Sequence, residues 1–173
     1  DMIDGIAVSL VDCAMPMMMV RAADMGVRGD ASPAELNADH ALLARLEAMR
    51  IEAGTRMGIA DAGSKVIPKP VLLSAPQQGG DLQVRYFMPH QCHTALAITG
   101  AVGLATAAVT PGTLANTFVG CLPMPGSITL EHPSGLLEVG LSRSSDDAPV
   151  VASVVRTARR LFEGLSLIHI SEP

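Results

Sequence analysis

Apolar residues along this chain gather in two kinds of run, and the kind of run predicts the element. GIAVSLV (5–11) and PMMMVR (16–21) are short, partly β-branched and separated by the polar break at Asp12 and Cys13. That pattern predicts two strands, and Pro16 suits the first position of the second one. From Ser32 the period changes. Ser32, Pro33 and Glu35 supply a helix cap, a proline for the first turn and the partner of a capping box. Leu42, Leu46, Met49 and Ala53 then recur at helical spacing until Gly54, with Asp39, Arg45, Glu52 and Arg56 on the opposite side. One amphipathic surface helix is expected there.

VIPKPVLLSAP (66–76) and DLQVRYFMP (81–89) read as two further strands joined by a QQGG turn. Residues 93–109 are apolar all the way round and rich in Ala and Gly, which predicts a helix buried on every side. Pro111-Gly112 breaks it, 113–119 adds a short helix, and 120–126 is a Gly/Pro-rich loop. SITLEHP (127–133), GLLEVGL (135–141) and residues 148–162 complete the pattern as three strands. The order β-β-α-β-β-α-β-β-β predicts an α+β fold, with a curved mixed or antiparallel sheet wrapped around a buried central helix.

Composition narrows the function. A chain of 173 residues can bury a real core as one domain, and 49% apolar against 17% charged residues excludes disorder. A net charge of −5, no Trp, one Tyr and three Phe remove both the basic footprint and the stacking platforms of a nucleic-acid binder. The three cysteines form no CxxC pair, so neither a disulfide framework nor a zinc ribbon is indicated, and a reducing cytoplasm is expected. The apolar run 94–109 falls short of the roughly 20 residues a membrane span needs, so no membrane partner is expected. Residues 165–173 (LSLIHISEP) read as translated sequencing-adapter sequence and are set aside, with His169, from fold reasoning. With no initiator Met before DMIDG, the chain reads as part of a longer gene.

The most reactive side chains stand directly before the most inert segment, in MPHQCHTALAITG (88–100). A helix beginning near His93 or Thr94 would present free N–H groups and the positive end of its dipole to an anion. His90, Cys92 and His93 would flank that anion, one as a thiol with a depressed pKa, the others as proton shuttles. The same residues also fit a plain helix cap in which Cys92 packs as a small apolar group. Zinc would need at least a third ligand, while His40 and His132 lie in unrelated contexts, so no metal is expected. Asp12 could hold a substrate hydroxyl or satisfy turn amides. Lys65 and Lys69 bracket Val66–Pro68, where an ammonium could pair with an acidic ligand. Glu131, His132 and one of Arg156, Arg159 and Arg160 are weaker candidates. GxGxxG, P-loop, GxSxG and HExxH patterns are absent, which leaves dinucleotide, nucleotide and serine-hydrolase readings without support.

VDCAMP, VIPKPVLLSAP, MPHQCHTALAITGAV, EHPSG and VVRTARRLFEG, in this order, resemble the PrpF family, and within it the members that tautomerise 4-oxalomesaconate in gallate degradation. The resemblance runs from about residue 5 to Gly164 and corresponds to the C-terminal half of such proteins. It implies a diaminopimelate epimerase-like fold of two related lobes, with the active site between them. It further implies a cofactor-independent isomerase that moves a proton or a C=C bond beside a carboxylate of a tricarboxylate. On this reading His90, His93, Thr99 and Gly100 line the carboxylate pocket, with Asp12, Met15 and Lys69 at its rim. The catalytic cysteine of the epimerases, aligned on Thr99-Gly100, falls at Ala97 here, so Cys92 is not its equivalent and epimerisation is disfavoured. Cys13 stands where the tautomerase pattern has Asn. The family's GGTSKG-like and CGN-like motifs do not occur in this chain. The acid–base pair is therefore expected on the other half, and this chain alone is expected to be inactive. Its partners would be a tricarboxylate and the N-terminal lobe, with room for a homodimer. A 2-methylaconitate or aconitate isomerase on the same scaffold, and a non-catalytic carboxylate-binding lobe, are the alternative readings.

Overall fold

In the computed structural model, which describes residues 1–145 and 148–155, the first two apolar runs pair antiparallel as β2 (Ile6–Cys13) and β3 (Met15–Arg21). A two-residue strand, β1 (Met2–Ile3), lies on the outer edge of β2. Ala14 alone joins β2 to β3, at φ 59°. In that left-handed region a Cβ costs roughly 1–2 kcal/mol.

The chain then crosses to β4 (Lys69–Ser74), which is parallel to β3, and turns back antiparallel as β5 (Leu82–Met88). The stub β6 (Gln91–Cys92) folds onto the end of β5. A second crossover leads to β7 (Gly126–His132), parallel to β5 through only Leu82↔Leu130 and Gln83↔Glu131. The hairpin partner β8 (Gly135–Ser142) and then β9 (Val151–Ser153) complete the order β1-β2-β3-β4-β5-β7-β8-β9.

The two crossovers put helices on opposite faces. The first carries α1 (Pro33–Ala38) and α2 (His40–Arg56); the second carries α3 (Ile98–Ala108) and α4 (Leu114–Val119). Met17, Met19, Val71, Leu73 and Tyr86 point to α3, whereas Met18, Val20, Leu72 and Phe87 join the core under α2 with Leu42, Leu46, Met49 and Ala53. That two-sided burial explains why residues 17–20 read as an unbroken apolar run.

α3 touches β2 and β3 at one side of the sheet and β7, β8 and β9 at the other. Laid flat, the strands from β2 to β9 would span about 29 Å at their usual spacing, far more than the roughly 10 Å width of a helix. The sheet therefore curls around α3, as the pattern of runs predicts. Gly103 permits the close approach: a Cβ there would strike the Met17 methyl and lie 2.7 Å from the Cys13 carbonyl oxygen.

Three elements depart from the sequence reading. The single amphipathic helix is two, because the Asp39 carboxylate accepts the Leu42 N–H at 2.9 Å and starts a new helix after α1. The buried helix starts at Ile98, not at His93 or Thr94, because the chain is still engaged with β5: Cys92 pairs with Phe87 and the His93 N–H donates to the Tyr86 carbonyl at 2.7 Å. Of the strand expected over 148–162, the described part is β9 alone. Arg156, Arg159, Arg160 and residues 164–173 lie outside the described residues.

Candidate functional site

Among the described residues, one cationic side chain, Lys69, is largely buried on the inner face of the sheet. Lys69 opens β4 in register with Met17, and strand alternation puts it on the Val71 and Leu73 side, facing α3. It is 4% exposed, and its ammonium has neither a hydrogen-bond acceptor nor a carboxylate among the described residues. Burial, reinforced by the charge of Arg50, pushes the Lys69 pKa down. The Lys69 ammonium keeps some contact with solvent but is poorly hydrated, and an anion beside it would offset that desolvation.

The first turn of α3 lies over the neighbouring strand. Gly100 packs on the Tyr86 ring so closely that a Cβ would come within 2.6 Å of Cε2, and Tyr86 is the register partner of Val71. Ala97 caps α3 without a side-chain hydrogen bond, and the first N–H with an intrahelical acceptor is that of Ala101, to the Ala97 carbonyl at 2.8 Å. The N–H groups of Ile98, Thr99 and Gly100 thus have no acceptor among the described residues. Thr99 is the exposed residue of this turn and Gly100 is buried. Three free donors, the positive helix end and an unpaired ammonium together favour a carboxylate.

The other expected residues are distributed around this centre. Met15 is half-buried against the inner core, and Asp12 is exposed beside it in the hairpin, in register with Pro16. His93 is half-buried, and its Nδ1 accepts the Ala95 N–H at 2.9 Å. His90 sits at the tip of the β5–β6 hairpin. Its side chain is 76% exposed, and its Nδ1 lies 3.9 Å from Glu47 on α2, the outer-face helix.

Two contacts escaped the sequence reading. His132 lies far from His93 in the sequence, yet the two imidazoles are close enough to repel as cations; burial, then Arg85 and His93, lower the His132 pKa. The Ser134 hydroxyl donates to the Thr94 carbonyl, and the Ser134 N–H donates to His132 Nδ1 at 3.2 Å, which ties the β7–β8 turn to the segment before α3. No sequence spacing announces that contact, because 40 residues separate its partners. The second is Arg50, fully buried under β4. Its signal was available: Arg50 follows Leu46 by four positions and so falls on the apolar stripe of the helix.

Two candidates have structural roles. Cys92 is 2% exposed in the outer core, its N–H donates to Asn37 Oδ1 at 2.7 Å, and burial pushes its pKa up to about 11 against the opposing charge of Arg85. A thiol so placed is a poor nucleophile at neutral pH. Glu131 accepts the N–H groups of Gln77 at 2.7 Å, Gln78 at 2.5 Å and Gly80 at 2.9 Å, so it clasps the β4–β5 turn. Among the described residues no three His, Cys, Asp or Glu side chains gather as a metal cluster, and no helix is long and apolar enough to cross a membrane.

The architecture recurs in solved structures. The crystal structure of methylitaconate-delta-isomerase superposes with a TM-score of 0.80 at 28% identity, over 92% of this chain and 46% of that one. A hydroxyproline epimerase from Agrobacterium vitis shares the fold at a TM-score of 0.55 and 18% identity, over 84% of this chain and 40% of that one. The fold is thus of the epimerase-like α+β class, a sheet curled around one helix.

Sequence comparison narrows the class. The model of the PrpF protein family matches residues 1–169, and the chain belongs to that family. "Putative isomerase YbhH" of Escherichia coli strain K12 is 48% identical over 165 residues, 95% of this chain and 47% of that protein. The 4-oxalomesaconate tautomerase of Pseudomonas putida strain KT2440 is 38% identical over 172 residues, 97% of this chain and 46% of that protein. The chain therefore spans about half the length of the curated relatives it matches.

Proposed function

We propose that this chain supplies one wall of the active site of a cofactor-independent isomerase that acts on an unsaturated tricarboxylate, with 4-oxalomesaconate as the preferred substrate. The carrying observation is Lys69, a largely buried side chain whose ammonium has no carboxylate or acceptor among the described residues, on the same inner face of the sheet as α3 with its open N-terminus. Those groups suit a substrate carboxylate and the enolate-like charge that builds up when a proton leaves the adjacent carbon. His93, half-buried between β5 and α3, is the group on this lobe placed to pass a proton. The acid–base pair itself belongs to residues outside this chain, and the cleft closes against the lobe that carries them. The cytoplasm is the proposed compartment. Support for the substrate comes from the relative named as a 4-oxalomesaconate tautomerase. A 2-methyl-aconitate isomerase of Shewanella oneidensis is also similar, at 30% identity, which keeps branched aconitates as the second substrate class.

The test is deuterium incorporation from D2O into 4-oxalomesaconate, and into aconitates, by the full-length gene product. Exchange into the first is expected, with a loss of about 10²-fold in Lys69→Gln or His93→Ala. A folded protein that exchanges none of these tricarboxylates, or variants that exchange as wild type, would sink the reading.

A further inference from the structure

Lys69 has no partner of its own on the inner face, but the segment that launches it is held from the outer face. Arg50 of α2 is 1% exposed. Its Nε and Nη2 donate to the two carboxylate oxygens of Glu47 at 2.7 and 2.6 Å, a forked pair. Its Nη1 donates at 2.8 Å to the carbonyl of Ile67, two residues before Lys69. Glu47 in turn is 21% exposed, and its outward neighbour is His90, at 3.9 Å. A chain of contacts thus runs from solvent through Glu47 and Arg50 into the backbone that sets the start of β4.

We infer that Arg50 and Glu47 are positioning residues for Lys69: the fork fixes the Ile67 carbonyl, and with it the start of β4 from which the Lys69 side chain leaves, while the charge of the fork bears on that ammonium. The inference deepens the reading of Lys69 as the carboxylate-binding cation and rests on it, but its first readout does not.

The charges facing Lys69 can be named. Arg50 supplies the positive charge that bears on it from α2, with Glu47 and His90 behind it. Among the described residues, β3 places Met17 opposite Lys69, and on β5 Tyr86, the partner of Val71, is kept neutral by burial, which raises its pKa. Two substitutions then push in opposite directions. Arg50→Met removes a positive charge and frees the Ile67 carbonyl, so Lys69 should hold its proton to higher pH. Glu47→Gln leaves the buried guanidinium unneutralised, so Lys69 should lose its proton at lower pH.

The experiment is competitive acetylation of the full-length gene product across a pH series, read by peptide mass spectrometry. Lys65, exposed and four residues away, is the internal reference for reagent reactivity. In the wild type Lys69 should titrate below the ordinary lysine value; in Arg50→Met the curve should move up, and in Glu47→Gln further down. Arg50→Lys keeps the charge but not the fork. It should titrate near wild type yet bind cis-aconitate about tenfold more weakly. Identical Lys69 curves in all variants, or shifts of the same sign in both charge variants, would overturn the inference. Should Arg50→Met fail to fold, the partly exposed Glu47 decides alone: no downward shift in Glu47→Gln overturns it. If the wild type binds no aconitate or oxalomesaconate, the reading of Lys69 as ligand cation fails, while the acetylation curves still decide whether the fork controls it.

Discussion

Cysteine reactivity separates the residues of this chain most simply. Cys121 is exposed, Cys13 is half-buried and Cys92 is buried. With its thiol pushed up to about 11 by burial, Cys92 should remain unlabelled by a soluble thiol reagent at pH 8 while Cys121 reacts, and should react only after denaturation. Native labelling of Cys92 at the rate of Cys121, mapped by mass spectrometry, would contradict that placement. Gly100 makes the opposite kind of demand. A methyl group there meets the Tyr86 ring at 2.6 Å, so Gly100→Ala should cost about 1–3 kcal/mol by urea unfolding, since a ring in a packed core yields little. Residue types were the most legible part of the candidate site: Lys69 and His93 stand out in the sequence as a charge and a titratable ring, while Thr99 and Gly100 enter only through the family resemblance. Their mutual approach was not legible. His132 reaches His93 only because β7 lies parallel to β5, and that pairing depends on the curl of the whole sheet.

Among the elements, the β4–β5 turn depends on a strand far away in sequence. Burial raises the pKa of Glu131, but the N–H donors of Gln77, Gly80 and Gln78, together with the charge of Arg85, more than offset this and hold it below the ordinary glutamate value. A carboxyl whose folded pKa is depressed binds fewer protons than in the unfolded chain across that window. Its contribution is complete above the ordinary carboxylate range and is lost as pH falls through the folded value. Glu131→Gln should therefore lower stability at pH 7 by about 1–3 kcal/mol for each donor left unpaired. It should also flatten the acid limb of a urea-midpoint profile; an acid limb as steep as wild type would refute the clasp. The capping box at Ser32 and Glu35 formed as its sequence spacing predicts, with the Glu35 N–H donating to Ser32 Oγ at 3.2 Å and the Ser32 N–H to Glu35 at 2.7 Å. Ser32→Ala should cost about 1 kcal/mol in the same assay. Capping is written locally and can be read locally. The late start of α3 cannot, because Ala95, Leu96 and Ala97 are good helix formers in a segment held out of the helix by hydrogen bonds to β5 and within its own loop.

For the whole molecule, two cores share one sheet. Leu46 lies in the core under α2 and Leu104 in the core around α3, both fully buried. Leu46→Ala and Leu104→Ala should each destabilise by about 2–5 kcal/mol. If the sheet couples the cores into one cooperative unit, far-ultraviolet circular dichroism and Tyr86 fluorescence should report a single midpoint for each variant. Separate midpoints would show that the two faces unfold independently. The α+β class and the central helix were readable from the alternation of apolar runs, since a helix apolar on all sides must be enclosed. Which strands lie parallel was not, because the runs that form β3, β4 and β5 are buried on both faces and carry no alternation to orient them.

The two cores also differ in when a ribosome can deliver them. Every buried residue of the core under α2 lies between Ile3 and Cys92, whereas the core around α3 extends to Leu141. During synthesis the first face can close while Met17, Met19, Val71 and Leu73 on the second still await α3 and β7–β8. The nascent chain thus passes through an interval with a finished back and a bare apolar front, in which it is most exposed to aggregation and to capture by chaperones.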